Sequence, residues 1–210
     1  VVRRDAPEAF RTQARAVTPA DCAAAAERHL DVQRAAATFR WTGSWHTVFV
    51  SADRYGGLAV DRRFSTKLRS NLERFRMAGY DLEMNDPRYV PLEVELHVCV
   101  KPGYFRADVL QAVQRKLSSD MLPDGTLGIF HPDNFTFGEP VYLSPIVAAA
   151  QAVDGVDAVR PQVFRRMFGA SPTSLLEGII PIGGLEIAQL AQNPNFRERG
   201  TLKIHAGGGK

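Results

Sequence analysis

The chain has 210 residues, enough to bury the core of one large or two small domains. Hydrophobic residues make up 45% and charged residues 23%, the proportions of an ordinary globular protein, and no apolar run is long enough to cross a bilayer. The net charge of +3 comes from interspersed charges of both signs, which speaks against a nucleic-acid binder held by charge alone.

The first 17 residues are polar and irregular. The chain opens on Val-Val-Arg-Arg with neither a methionine nor a signal peptide, so the reading here is a piece of a longer protein. Thr18, Pro19 and Asp21 then supply an N-cap, a helix-ready N1 position and an acid at N3, which predicts a helix through the alanine run that follows. Val32–Trp41 and residues 45–52 are rich in Val, Phe, Trp and Thr, and Thr42-Gly43-Ser44 between them reads as a hairpin turn. Phe64, Leu68, Leu72 and Phe75 recur at helical spacing, with Gly79 placed as the glycine that ends the helix. Residues 81–85 read as a short strand before Pro87.

Residues 88–105 carry the clearest signal. Val90, Leu92, Val94, Leu96, Val98 and Val100 alternate with Pro91, Glu93, Glu95, His97, Cys99 and Lys101. Period two over that length is a strand with one face on a core and one toward water. Pro102-Gly103 ends it. Ala107, Leu110, Val113 and Leu117 predict a third helix, and residues 120–139 form a long, turn-rich connector. Ser144 and Pro145 predict the N-cap and N1 of a fourth helix, followed by a strand over residues 156–168 that Pro161 interrupts. From Gly169 onward Gly and Pro are frequent, and only residues 185–190 and 201–206 are strand-like.

The expected fold class is α+β: two small two-layer, split βαβ-like halves with mainly antiparallel sheets, over residues 1–87 and 88–168, and an extended C-terminal arm over 169–210. Two cysteines, Cys22 and Cys99, suggest no disulfide framework, a reducing compartment and inert thiols.

Chemistry-bearing motifs are sparse. His29, His46, His97, His131 and His205 do not fall at metal-ligand spacing. His131-Pro132-Asp133-Asn134 is the stretch most like a hydrolytic loop, but His and Asp two apart across a proline also form a simple turn. No GxSxG elbow and no Gly-rich phosphate loop occur, and Gly207-Gly208-Gly209 reads as a tail. The hairpin of residues 39–49 supports a rival from another class. Phe39, Trp41, Trp45 and Phe49 with nearby arginines resemble a platform for single-stranded RNA, although packing or protein contact explains them equally well.

Several stretches together resemble the baseplate J-like family: PEAFRTQARAVTPADC at residues 7–22, FRWTGSWHTVFV at 39–50, LERFRMAGYDLE at 72–83 and RYVPLEVELHVCVKPGYFRADV at 88–109. LGIFHPDNFTFGEPVYLSPIVAAA at 127–150, GVDAVRPQVFRR at 155–166 and IPIGGLEIAQLAQNPNF at 180–196 extend it over nearly the whole chain. Because family members are often longer, the resemblance is to their C-terminal part. It implies a baseplate wedge subunit of a contractile phage tail or phage-tail-like injection system, assembled in the cytoplasm and acting in a ring-shaped, multi-subunit assembly. The implied partners are other wedge subunits, the hub or spike and sheath-proximal proteins. No catalytic residue, metal, cofactor, nucleic acid or membrane insertion is implied. The apolar side chains singled out as interface candidates are Trp41, Trp45, Phe130, Phe135, Ile180, Ile182, Leu185 and Ile187.

Overall fold

The computed structural model describes residues 15–169 and 174–210; the irregular stretch read over residues 1–14 and the start of the arm at 170–173 lie outside them. The architecture is α+β. The chain divides into two compact units, Val1–Pro87 and Arg88–Lys210.

In the first unit, helix α1 (Pro19–Ala26) starts as its sequence dictates. Thr18 Oγ1 accepts from the Asp21 N–H, and Asp21 Oδ2 accepts from the Thr18 and Val17 N–H groups. These bonds satisfy donors that the first helical turn leaves open and hold the Asp21 carboxyl below its usual range. Strands β1 (Val32–Trp41) and β2 (His46–Arg54) form an antiparallel hairpin. Gly43, at φ 100°, takes the left-handed turn position that a side chain would resist. Helix α2 (Arg62–Glu73) then crosses over to β3 (Asp81–Asn85), which pairs parallel to β2. Phe64, Leu68 and Leu72 on α2 are buried with Val48, Val50, Ala52, Leu82 and the alanines of α1. The small alanine face of α1 lets the helix close on its neighbours. Gly79 is not the helix terminator: α2 ends at Glu73, capped by Arg74, and Gly79 instead lies beneath Trp45.

The second unit is built on β4 (Arg88–Val100). Its even-numbered side chains from Val90 to Val100 are all buried, while the odd-numbered positions from Tyr89 to Cys99 are half-buried. Helices α3 (Arg106–Lys116) and α4 (Leu143–Gln151) supply the facing apolar side chains. The buried stripe of α3 is Val109, Val113 and Leu117, at strict i, i+4, i+8 spacing; Ala107 is exposed and Leu110 half-buried, so the expected stripe was rotated by part of a turn. Ser144 is not the cap of α4. The two-residue strand β5 (Val141–Tyr142) runs directly into the helix, Tyr142 occupies the N-cap position without a side-chain bond, and the Leu143 N–H donates to Gly178 O.

Antiparallel β6 (Val156–Arg166) flanks β4 on one side, with an irregularity in register near Pro161, where the missing N–H cannot serve the ladder. The stretch expected to form an arm provides the other side. A short helix, α5 (Ser174–Glu177), leads to β7 (Ile179–Ile180), which pairs with β5. Then β8 (Glu186–Gln189) pairs parallel with the start of β4, and β9 (Thr201–Gly208) continues the same edge along Glu93 to Val100. Residues 174–210 are therefore extended but folded into the second unit, because Leu202, Ile204 and Ala206 alternate onto its core. Even the terminal glycines are docked: Gly209 N–H donates to Val100 O, and the Arg106 guanidinium donates twice to Gly208 O at 2.9 and 2.7 Å. The sheets are mixed, with parallel ladders at β2–β3, β4–β8 and β4–β9 that local patterning does not announce.

Candidate protein interface

Two tryptophans are exposed at the tip of the β1–β2 hairpin. Trp41 is 61% exposed and Trp45 50%, an unusual position for side chains whose burial carries so much free energy. The tip is rigidly made. Trp45 O accepts from both the Thr42 N–H and the Thr42 hydroxyl, at 2.9 and 3.0 Å. Trp41 meets the His46 ring edge-on at 5.0 Å, and His46 lies 6.0 Å from Tyr80, which in turn lies 5.4 Å from Phe39. An aromatic row thus runs from Tyr80, the residue before β3, across His46 on β2 and ends in an exposed tryptophan on β1. His46 and Tyr80 were not candidates from the sequence, because the row depends on the parallel register of β3.

The hairpin does not form a single stacking platform. Phe39 pairs with Val48, whereas Phe49 pairs with Thr38, so alternation puts Phe49 on the opposite face from Phe39 and Trp41. There Arg40 covers its ring at 5.1 Å. Bases cannot stack in sequence on aromatics that the sheet itself separates.

The other interface candidates are placed differently. Phe130, Ile180 and Ile182 are 1%, 0% and 8% exposed and belong to the chain's own second core, and Ile187 is buried at 2%. Phe135 is half-buried and stacks on Phe130 at 6.3 Å; Leu185 is half-buried. These residues looked surplus only because the strands they pack beneath are remote in sequence. Phe130, Ile180, Ile182 and Ile187 are enclosed by the chain itself, whereas Phe135 and Leu185 keep part of their surface exposed.

The remaining chemical candidates resolve into structure. His131 Nδ1 accepts from the Asp133 N–H at 3.2 Å and caps a single helical turn, Pro132–Asn134, while the Asn134 amide donates to Gly128 O and Ile129 O. On the outward face of β4, Glu93 forms a cross-strand ion pair with Arg165 at 2.7 Å, and Glu95 Oε1 lies at hydrogen-bond distance, 2.9 Å, from His205 Nε2. Cys22 is buried, and burial, with Asp21 adding to it, pushes its thiol up; Cys99 is half-buried with its Sγ 3.8 Å from His97 Nδ1. Among the described residues no group of three or more His, Cys, Asp or Glu is arranged to hold a metal ion. A cavity of about 20 Å³ under Phe39, lined by Cys22, Leu72 and Leu82, has room for one water.

No curated protein matches the chain. A chain of the anti-feeding prophage (AFP) baseplate, determined by cryo-EM and six-fold symmetrised, shares the fold with a TM-score of 0.53 at 16% identity. The superposition covers 89% of this chain and 40% of that one, so the chain spans about two fifths of its structural relative. Residues 14–85 match the family model described as the Baseplate J-like central domain. Residues 14–85, which lie in the first unit, are thus similar to the Baseplate J-like central domain, in keeping with the resemblance to the baseplate J-like family.

Proposed function

We propose that the chain is a structural baseplate subunit of a contractile tail or phage-tail-like injection machine, and within that class a wedge component. It works through protein–protein contacts with other wedge subunits, with the hub or spike and with sheath-proximal proteins. Its assembly takes place in the cytoplasm, and it performs no catalysis and takes no cofactor. The observation that carries this reading is the family match over the unit whose hairpin presents Trp41 and Trp45. A rigid tip with two half-exposed tryptophans has the chemistry of an interface anchor. The fold shared with a baseplate chain is consistent with it.

The test is made in cells that produce the particle, with the full-length protein tagged. The tagged protein co-purifies with sheath, tube and spike, and Trp41→Ala with Trp45→Ala reduces the number of complete baseplates seen by electron microscopy. A tagged protein absent from purified particles would overturn the reading.

A further inference from the structure

The sheet of the first unit runs β1-β2-β3, so among the described residues each outer strand has one side without a strand on it. Edges of this kind are usually blunted by brevity, charge or proline. Strand β3 follows that rule: five residues, with Asp81 and Glu83 exposed. Strand β1 does not. It is ten residues long, has no proline and carries only Ala35, Ala36, Ala37 and Thr38 through its middle.

The two edges are complementary in charge. Arg40 pairs with Thr47, which pairs with Asp81, so a single row runs from an exposed cation on β1 to an exposed acid on β3. The adjacent row runs Trp41, His46, Tyr80 and ends on the β1 side in the exposed indole. A second copy that continues the sheet lays its β3 antiparallel to β1, since β3 is parallel to β2 and β1 antiparallel to it. In register, the second copy's Asp81 faces Arg40, its Glu83 takes the diagonal position, and its Tyr80 meets Trp41. The remainder of β3 then covers β1 as far as Ala36. The length also fits: the next amide, Ala35 N–H, already donates to Glu27 Oε1 at 3.1 Å, and Glu27 also faces Arg34 at 3.9 Å. The edge is closed where the five-residue strand would run out, and among the described residues no strand lies on it where the five residues would pair.

We infer that copies of this chain join head to tail by adding β3 of one to β1 of the next. The partner surface is a second copy of the first unit, anchored by Arg40 against Asp81 and by Trp41 against Tyr80. Such a contact is heterologous, so it repeats into a ring or an open filament. The inference deepens the structural-subunit reading by naming a partner, and rests on that reading only for its setting.

The experiment is sedimentation velocity on the 210-residue chain over a concentration series, with circular dichroism as the control for folding. The wild-type chain self-associates. Arg40→Glu and Asp81→Arg each weaken association at least tenfold, and their equimolar mixture restores it, because each variant's altered edge then meets an opposite charge. Trp41→Ala weakens association without changing its salt dependence. The milder pair Arg40→Gln and Asp81→Asn must also weaken it, which keeps the test valid if a reversal unfolds the chain. A monomeric wild type, association that survives both reversals, or a mixture that fails to associate overturns the inference. None of these outcomes affects whether the tagged protein is found in particles.

Discussion

Arg166 and Glu186 are 20 residues apart, yet Arg166 Nη2 donates to Glu186 Oε2 at 2.6 Å and locks the end of β6 to the start of β8. The same carboxylate accepts from the Gly183 N–H at 3.0 Å and faces Arg88 at 3.5 Å, while Arg166 also donates to Pro181 O. One side chain therefore joins both flanking strands to β4. Burial pushes the Glu186 carboxyl up, but the Gly183 N–H, Arg166 and Arg88 together outweigh it and hold it below its ordinary value.

Replacing Glu186 by Ala is expected to destabilise the second unit by about 1–3 kcal/mol, the range for losing hydrogen bonds to a charged group. The sign of the pH dependence follows from the lowered value. The stabilisation is present above the ordinary glutamate range and is lost as the pH falls through the folded-state value. Urea unfolding at neutral pH and under acid conditions checks this: the gap between wild type and Glu186→Gln should narrow on acidification. A gap that widens would mean that the carboxylate is not the stabilising form.

The two faces of β4 predict opposite sensitivities. Val94 and Leu96 are fully buried, so Val94→Asp or Leu96→Asp leaves a carboxylate without a partner in the core, at a cost of several kcal/mol against a marginal total. Glu93→Gln weakens only its half-exposed pair with Arg165, worth roughly 0.2–1 kcal/mol. Chemical denaturation of the three variants separates the classes, and equal losses would refute the assignment of faces.

The tail is expected to be part of the fold. Ending the chain after residue 200 strips β9 from β4 along Glu93 to Val100 and removes Leu202, Ile204 and Ala206 from the core. Calorimetry should show loss of the second unit's cooperative transition. A finer probe is Gly208→Ala, because a Cβ there would stand 2.7 Å from Val100 O at a φ of +78°, which should release the terminal residues at a cost above about 1 kcal/mol. Cooperative melting that survives the truncation would return residues 201–210 to the status of an appendage.

His131→Ala should cost about 1 kcal/mol through the lost bond to the Asp133 N–H and leave particle assembly intact. Thermal melting and electron microscopy of the variant particles make the check. Loss of assembly in a variant with normal melting would point to a role beyond the turn.

The residues that declared themselves in the sequence are those whose structure is local. The Thr18 and Asp21 cap, the hairpin turn at Gly43 and the alternation along β4 each depend on neighbours within a few positions, where spacing alone decides the geometry. The motifs behind the family resemblance are readable in the same way. Tertiary structure decided everything that depends on which distant strand lies beside which. Leu202 and Ile204 look alike whether β9 is a free arm or the edge of a sheet, and only pairing with β4, over a hundred residues upstream, buries them. Ile180, Ile182 and Phe130 are apolar on either reading, but packing with the β4 side chains turns them from candidate contacts into core. Trp41 stays exposed for the converse reason: its aromatic row is completed by the parallel register of β3, and among the described residues no strand lies beyond β1. Side-chain period is a property of a single strand, whereas the partner of a strand is selected by the free energy of the whole assembled layer.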